Sequence, residues 1–219
     1  MSLTKPRKAT RNTLAEREAP EAGGRERLIA AALKLAAEKR SLLALGVREL
    51  GRMAGLNPNT FYRHFKSLDE LSLAIIDEFA QDLAPALRSI RHSGLPVETV
   101  PQRTVEYVFD YAKQYPEAFI VGVRELHGSS GRLQQAIRAR IRQVAQELAE
   151  DILATQGPTG LSAAIVEELT EPIVEHVFHR TLDYLEDPKR RADLVLRTTH
   201  FIEALIAGAL TLKAQKRWN

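Results

Sequence analysis

Eight residues between positions 48 and 66 carry groups that suit a nucleic-acid duplex: Arg48, Asn57, Asn59, Thr60, Tyr62, Arg63, His64 and Lys66. All of them can donate hydrogen bonds. Donors of this kind hold phosphate oxygens and fix the register of a protein on DNA. Arg48 and Asn59 can also make paired hydrogen bonds to base edges, guanine for arginine and adenine for asparagine. On an ordinary helical hairpin the same residues would be nothing more than a polar surface, so the elements that position them decide between the readings.

Those elements are legible. Leu50, Met53 and Ala54 follow Val47 at helical spacing, so the first helix is expected to bury that face. Gly55 comes next and suits the left-handed position just past a helix end. Asn57 offers a capping oxygen to a new helix, and Pro58 fits its first turn. The second helix is predicted over Pro58 to Phe65, with Phe61 and Phe65 four apart and facing the core. Asn59, Thr60, Tyr62, Arg63 and His64 then point elsewhere. Ser67-Leu68-Asp69-Glu70 fits a capping box that opens a third helix. Lys66 and the amides of that helix start would form a phosphate-binding corner. Caps, glycine turn, aromatic pair and donor cluster agree, which favours a helix-turn-helix over a plain hairpin.

The stretch resembles the DNA-binding domain of the TetR family of bacterial transcriptional regulators. The resemblance rests on Phe61-Tyr62-Arg63-His64-Phe65-Lys66 and on Leu68-Asp69-Glu70-Leu71. It implies phosphate contacts for Tyr62, His64 and Lys66. It places Arg48, Asn57, Asn59 and Thr60 in or near the major groove. The chain departs from the family pattern at Gly46, where a capping Thr or Ser is common, and at Gly51, where Ala is more usual.

Charge is distributed to match. The net charge of the chain is +3, yet residues 1–66 hold 14 Lys+Arg against 6 Asp+Glu, while residues 67–219 hold 17 against 22. A basic N-terminal third on a mildly acidic body is the footprint of a nucleic-acid partner. A merely solvated basic surface would not account for the coincidence with the helix-turn-helix. The chain has no cysteine, which excludes disulfides and thiolate metal sites. No signal peptide is expected from its basic N-terminal residues. No stretch is expected to reach the roughly twenty apolar residues of a membrane span. These features fit a bacterial cytoplasmic protein.

The expected organisation is a basic flexible tail over residues 1–24, a helix-turn-helix DNA-binding domain over 25–70, and a helical effector-binding and dimerisation domain over 71–219. The first helix is predicted from Arg25 to Lys39, with Leu28, Ile29, Ala32, Leu35 and Ala36 inward. A connecting helix should run from Ser67 to about Arg91, kinked or broken at Pro85. Gly94, Pro96 and Pro101 mark a loop or hinge. Further helices are expected at Val105–Tyr115, Pro116–His127, Leu133–Ala154, Ser162–Leu185 and Pro188–Ala214. Turns are expected at Gly128-Ser129-Ser130-Gly131 and Gly157-Pro158-Thr159-Gly160. Strand-like alternation is scarce, so the fold class is all-α.

The last two helices are candidates for a subunit interface. Leu169, Ile173, Val177, Leu182 and Leu185 line one, and Leu194, Phe201, Leu205, Ala209 and Leu212 the other. Ala204, Ala207, Gly208 and Ala209 form a small-residue patch. Both stripes could equally bury against their own chain. A homodimer would place two recognition helices about 34 Å apart, in successive major grooves of a roughly palindromic operator. Members of the TetR family generally dimerise in this way.

Tyr107, Phe109, Tyr111, Phe119, Val121 and Val123, with Phe178, either line an apolar cavity or form packed core. Arg124 either pairs structurally or receives an anionic ligand head. Arg124-Glu125-Leu126-His127-Gly128-Ser129-Ser130 and the Ser41–Glu78 stretch resemble the FabR/DesT-type branch of the family. That resemblance implies repression of unsaturated fatty-acid synthesis genes and a response to long-chain acyl thioesters, of CoA or acyl carrier protein. The alternative within the class is another apolar effector, such as a drug or aromatic compound.

An enzyme is the contrasting class. His176 and His179, with Glu175, have a spacing that zinc could use. No HExxH, nucleophile elbow or glycine-rich phosphate loop accompanies them, so no enzyme, metal or cofactor is expected. A purely architectural DNA binder is a third reading, distinguished by operator affinity that no metabolite alters.

Overall fold

The computed structural model describes residues 23–39, 41–155 and 161–218. Residues 1–22 of the tail expected over 1–24 and the turn at Gly157-Pro158-Thr159-Gly160 lie outside the described residues, and Gly24 already belongs to the first helix. Among the described residues the protein consists of α-helices, with short 3-10 turns and no strand, as the all-α expectation requires. Helices α1 (Gly24–Lys39), α2 (Val47–Met53) and α3 (Phe61–His64) form the N-terminal unit. Helix α4 (Leu68–Arg91) leads out of it into α5 (Val100–Gln114), α6 (Pro116–Leu126), α7 (Gly131–Thr155), α8 (Ala163–Glu186) and α9 (Arg191–Ala214). In this body α7 packs on α8 and α4, and α9 packs on α5 and α8.

The N-terminal unit closes around Leu28, Ile29, Ala32, Leu35, Ala36, Leu50, Phe61 and Phe65, all buried. Helix α2 differs from expectation in one respect. Met53 is 43 % exposed, because the inward arc is Val47, Leu50, Gly51 and Ala54. That is the i, i+3, i+4, i+7 pattern, and Met53 falls beyond its edge. Gly51 is inside because a Cβ there would meet the backbone of Leu56 and Pro58 at 3.1–3.2 Å. Gly46 opens α2 with no side-chain cap, as its lack of a hydroxyl dictates. Gly55 has φ +62°, the left-handed conformation anticipated for it, and the Arg27 guanidinium donates to its carbonyl at 3.0 Å.

Helix α4 does not break at Pro85. Proline removes the amide that would bond the carbonyl of Gln81. Both residues are exposed, so water can serve that carbonyl. On the opposite side Leu83 and Leu87 pack into the core and hold the helix together. Pro101 is also placed differently from expectation. It lies in the first turn of α5, which starts five residues earlier than predicted, where a missing amide costs nothing.

Helix α9 overturns another expectation. Together with the 3-10 turn before it, Pro188–Ala214 is long and apolar enough to cross a membrane by length and composition alone. It packs instead along α5 and α8. Half of the stripe residues expected at the subunit interface, Leu169, Ile173, Val177, Leu194 and Ala209, are buried inside the chain. The opposite face of α9 is open, with Leu196 55 % and Leu210 41 % exposed beside Ala204, Ala207 and Gly208.

A buried ion cluster ties the end of α4 to α7. Arg91 Nε donates to Asp151 Oδ2 at 2.6 Å. His92 Nε2 lies 2.7 Å from Asp151 Oδ1, and Arg88 Nε lies 3.7 Å from the same oxygen. Burial pushes the Asp151 carboxyl up, but hydrogen bonds from His92 and Arg91 and their charges outweigh it and hold the group below its ordinary value.

Two outcomes follow from these local geometries. Gly55→Ala should lower stability by about 1–2 kcal/mol, the cost of a left-handed Cβ, with a smaller loss for Gly55→Asn; equal denaturation midpoints for all three proteins would contradict this. The depressed Asp151 carboxyl stabilises the fold above the ordinary carboxylate value of about 3.9 and loses that contribution as pH falls through its lower folded value. Urea midpoints should therefore differ between the wild type and Asp151→Asn at pH 7 and converge as pH falls towards 3.

Candidate nucleic-acid interface and ligand cavity

The exposed side of the N-terminal unit is built from α2, the turn after it and α3. Asn57 has an extended backbone, and its Oδ1 accepts from the Asn59 amide at 2.9 Å, with Pro58 next in line. The second helix is shorter than predicted. It opens as a 3-10 turn at Pro58–Thr60 and becomes α-helical only over Phe61–His64. Phe61 and Phe65 are buried with ring centroids 5.9 Å apart, and the edge of Phe61 meets Tyr62 at 5.3 Å. The aromatic pair thus fixes the roll of the short helix. Arg48, Asn57, Asn59, Tyr62, Arg63, His64 and Lys66 are exposed, and Thr60 is half-buried. The structure brings all eight onto this one stretch of surface elements. The acceptor of Asn57 is engaged locally, so only its amide donors remain for a partner.

The phosphate corner is narrower than the sequence suggests. Ser67 Oγ accepts from the Glu70 amide at 3.2 Å, and Glu70 Oε2 accepts from the Lys66 amide at 2.7 Å. The reciprocal bond reaches one residue further back than the capping box predicts. Two of the amides that might receive an anion are therefore satisfied internally. The exposed ammonium of Lys66 is left to meet an anion alongside the other first-turn amides.

Side-chain links join this unit to the body. Arg25 lies 5.5 Å over the Phe65 ring and pairs with Glu78 of α4. Arg124 Nη1 donates to the Ala37 carbonyl at 2.7 Å. The buried Glu125 Oε1 accepts from the Leu42 amide at 2.6 Å. Consecutive residues of α6 thereby grip both sides of the α1–α2 connection.

The body contains a cavity of about 490 Å³, within the range of small-molecule sites. Its walls are mostly apolar and come from every helix of the body together with Leu42 of the N-terminal unit. Ile75, Ile76, Phe79, Leu83 and Leu87 of α4 face Ile137, Ile141, Val144 and Leu148 of α7 across it. Phe119 and Phe178 are on the wall, with ring centroids 5.8 Å apart, and Val121 joins them. Tyr107, Phe109, Tyr111 and Arg124 do not line it. Phe109 is fully buried in a stack on Tyr184 at 5.0 Å. Tyr111 packs between Tyr115 and Phe79. Tyr107, whose hydroxyl is pushed up by burial, stacks on Tyr111 with ring centroids 6.3 Å apart. Arg124 turns towards the N-terminal unit instead.

Sequence reasoning missed the polar end of the cavity, where Arg91, His92 and Asp151 stand. The available signal was Asp151 on the apolar stripe of α7, three residues after Leu148, and the Arg88/Arg91 pair ending an apolar α4. The histidines do not converge as a metal site. His179 Nε2 meets His127 Nε2 at 3.2 Å, while His176 stacks on Phe201 at 3.8 Å. Among the described residues no group of three potential ligands gathers.

Residues 28–75 match the family model for bacterial regulatory proteins of the tetR family. The fold resembles the fatty acid degradation regulator FadR from Bacillus halodurans, at 17 % identity and TM-score 0.70, over 87 % of this chain and 98 % of that one. FadR from Bacillus subtilis, solved in complex with stearoyl-CoA, matches at 18 % identity and TM-score 0.64, over 83 % and 97 %. A tetR-family transcriptional regulator from Streptomyces coelicolor matches at 20 % identity and TM-score 0.64, over 86 % and 82 %. At these identities the structural likeness is one of fold, and the N-terminal match supplies the kinship. The match over its helix-turn-helix and the fold of its body are both those of TetR-family transcriptional regulators.

Proposed function

We propose that the protein is a ligand-responsive, non-enzymatic repressor of the bacterial cytoplasm that binds a palindromic operator as a homodimer and releases it when an apolar effector fills the cavity. The observation that carries the reading is a largely apolar cavity with Leu42 of the DNA-binding unit in its wall. An occupant that favours one arrangement of that wall shifts the population of DNA-binding geometries. The half-open, apolar α9 supports dimerisation, because its exposed face needs cover. Its small residues would allow a second copy to approach closely.

In this reading Arg48, Asn59 and Thr60 reach base edges in the major groove. Asn57 caps the recognition helix and presents its amide beside them. Tyr62, Arg63, His64 and Lys66 hold phosphates. The effector is an acyl thioester, and the genes controlled belong to fatty-acid metabolism. The stearoyl-CoA complex of the Bacillus subtilis neighbour supports this choice, as does the resemblance to FabR/DesT-type repressors. Among the aromatic candidates, Phe119 and Phe178 stand where they would touch an acyl chain.

Fluorescence anisotropy on DNA from the protein's own upstream region tests the whole reading. Specific binding should weaken when oleoyl- or palmitoyl-CoA is added; specific binding indifferent to both would remove the thioester and leave other apolar effectors. The two classes of contact separate by mutation. Arg48→Ala should cost about 1–3 kcal/mol on the operator and little on random DNA. Lys66→Ala should weaken both alike and reduce the slope of log affinity against log salt by roughly one. Equal losses on operator and random DNA for Arg48→Ala would defeat its assigned role.

A further inference from the structure

The end of the cavity at the α4–α7 junction holds a buried ion pair, Arg91 with Asp151, flanked by the more exposed Arg88 and His92. Arg88 and Arg91 face the single carboxylate of Asp151, with His92 beside it. The other charged groups around the cavity are engaged elsewhere: Arg140 pairs with Asp77, and Glu125 accepts the Leu42 amide. Arg91 is only 9 % exposed, and its Nε edge is taken by Asp151. Its Nη2 is buried and has no hydrogen-bond partner in the structure. A guanidinium nitrogen without an acceptor is costly in such a place, and an anionic oxygen is the partner that offsets the cost.

The shape of the cavity restricts the rest of the ligand. Helix α4 borders it from Ile75 to Arg91, about 24 Å along the axis at 1.5 Å per residue. The long dimension is apolar, and the cationic cluster lies at one end of the α4 wall. We infer that the cavity takes an anionic amphiphile, an apolar chain whose acidic oxygen is met by the Arg91 guanidinium at the cavity end, with Arg91 as the residue that selects acid over neutral head groups. The inference rests on the cavity being the effector site and adds what the effector must carry. The acidic oxygen belongs either to a free carboxylate or to a phosphate beyond a thioester.

Isothermal titration of the full chain with oleate, oleyl alcohol and stearoyl-CoA tests this. The alcohol has the oleate chain and no charge. The wild type should bind oleate or stearoyl-CoA at least tenfold more tightly than oleyl alcohol. Arg91→Met, checked for folding by its melting curve, should lose that preference while keeping affinity for the alcohol. Dependence on Arg91 for oleate assigns the oxygen to a carboxylate; dependence for stearoyl-CoA alone assigns it to a phosphate. Equal binding of acid and alcohol by the wild type overturns the inference and leaves the apolar cavity standing as the effector site. Failure of all three ligands to bind overturns both. The wild-type comparison decides even where Arg91→Met does not fold.

Discussion

Helix α4 is the constraint on which the molecule depends. At about 36 Å for its 24 residues, it starts in the Ser67–Glu70 cap under the DNA-binding unit and ends in the Asp151 cluster on α7. Both ends are held by charge-assisted bonds, and its middle is held by apolar contact. One side of it is at once core, cavity wall and the attachment of Glu78 to Arg25. A rigid element with three such duties cannot serve one of them independently. Movement of the α4 part of the cavity wall is movement of the helix, and Glu78 ties the helix to Arg25, which lies over Phe65.

The second element of this mechanical arrangement is α6. A buried carboxylate is tolerated only when it is bonded, and Glu125 finds its donor in the Leu42 amide. Arg124, one residue earlier, takes the Ala37 carbonyl. The DNA-binding unit therefore rests on the body through hydrogen bonds of its own backbone. Such bonds are directional, so they define a seat rather than a general adhesion. α4 and α6 together fix the unit from two sides.

The DNA-binding unit was legible in the sequence because its determinants are local. Gly55, Asn57, Pro58 and Ser67 act over a few residues, and each conformation follows from the residue itself. Errors there were matters of edge: Met53 instead of Gly51 on the inward face, and a recognition helix that opens as a 3-10 turn. The cavity was much less legible. Aromatic content on α5 pointed to Tyr107, Phe109 and Tyr111, whereas these residues stack among themselves and on Tyr184 and Phe79. The wall is formed by aliphatic residues of α4 and α7, which look like any buried stripe. A void between two stripes is set by how far apart the helices pack, and periodicity carries no information on that distance. Arg91 and Asp151 are 60 positions apart, and only the fold makes them one cluster.

Leu42 belongs to two places at once. Its amide is held by Glu125, and its side chain stands in the cavity wall although it is part of the α1–α2 connection. Any free energy that depends on where Leu42 sits is shared between the two sites, and thermodynamic linkage makes the sharing symmetric. In the proposed function, the factor by which an occupant lowers affinity for DNA is the factor by which DNA lowers affinity for the occupant. The copies resting on an operator are then the weakest receptors in the population. Copies free in solution fill first and act as a sink, so the threshold for response depends on how many of them there are.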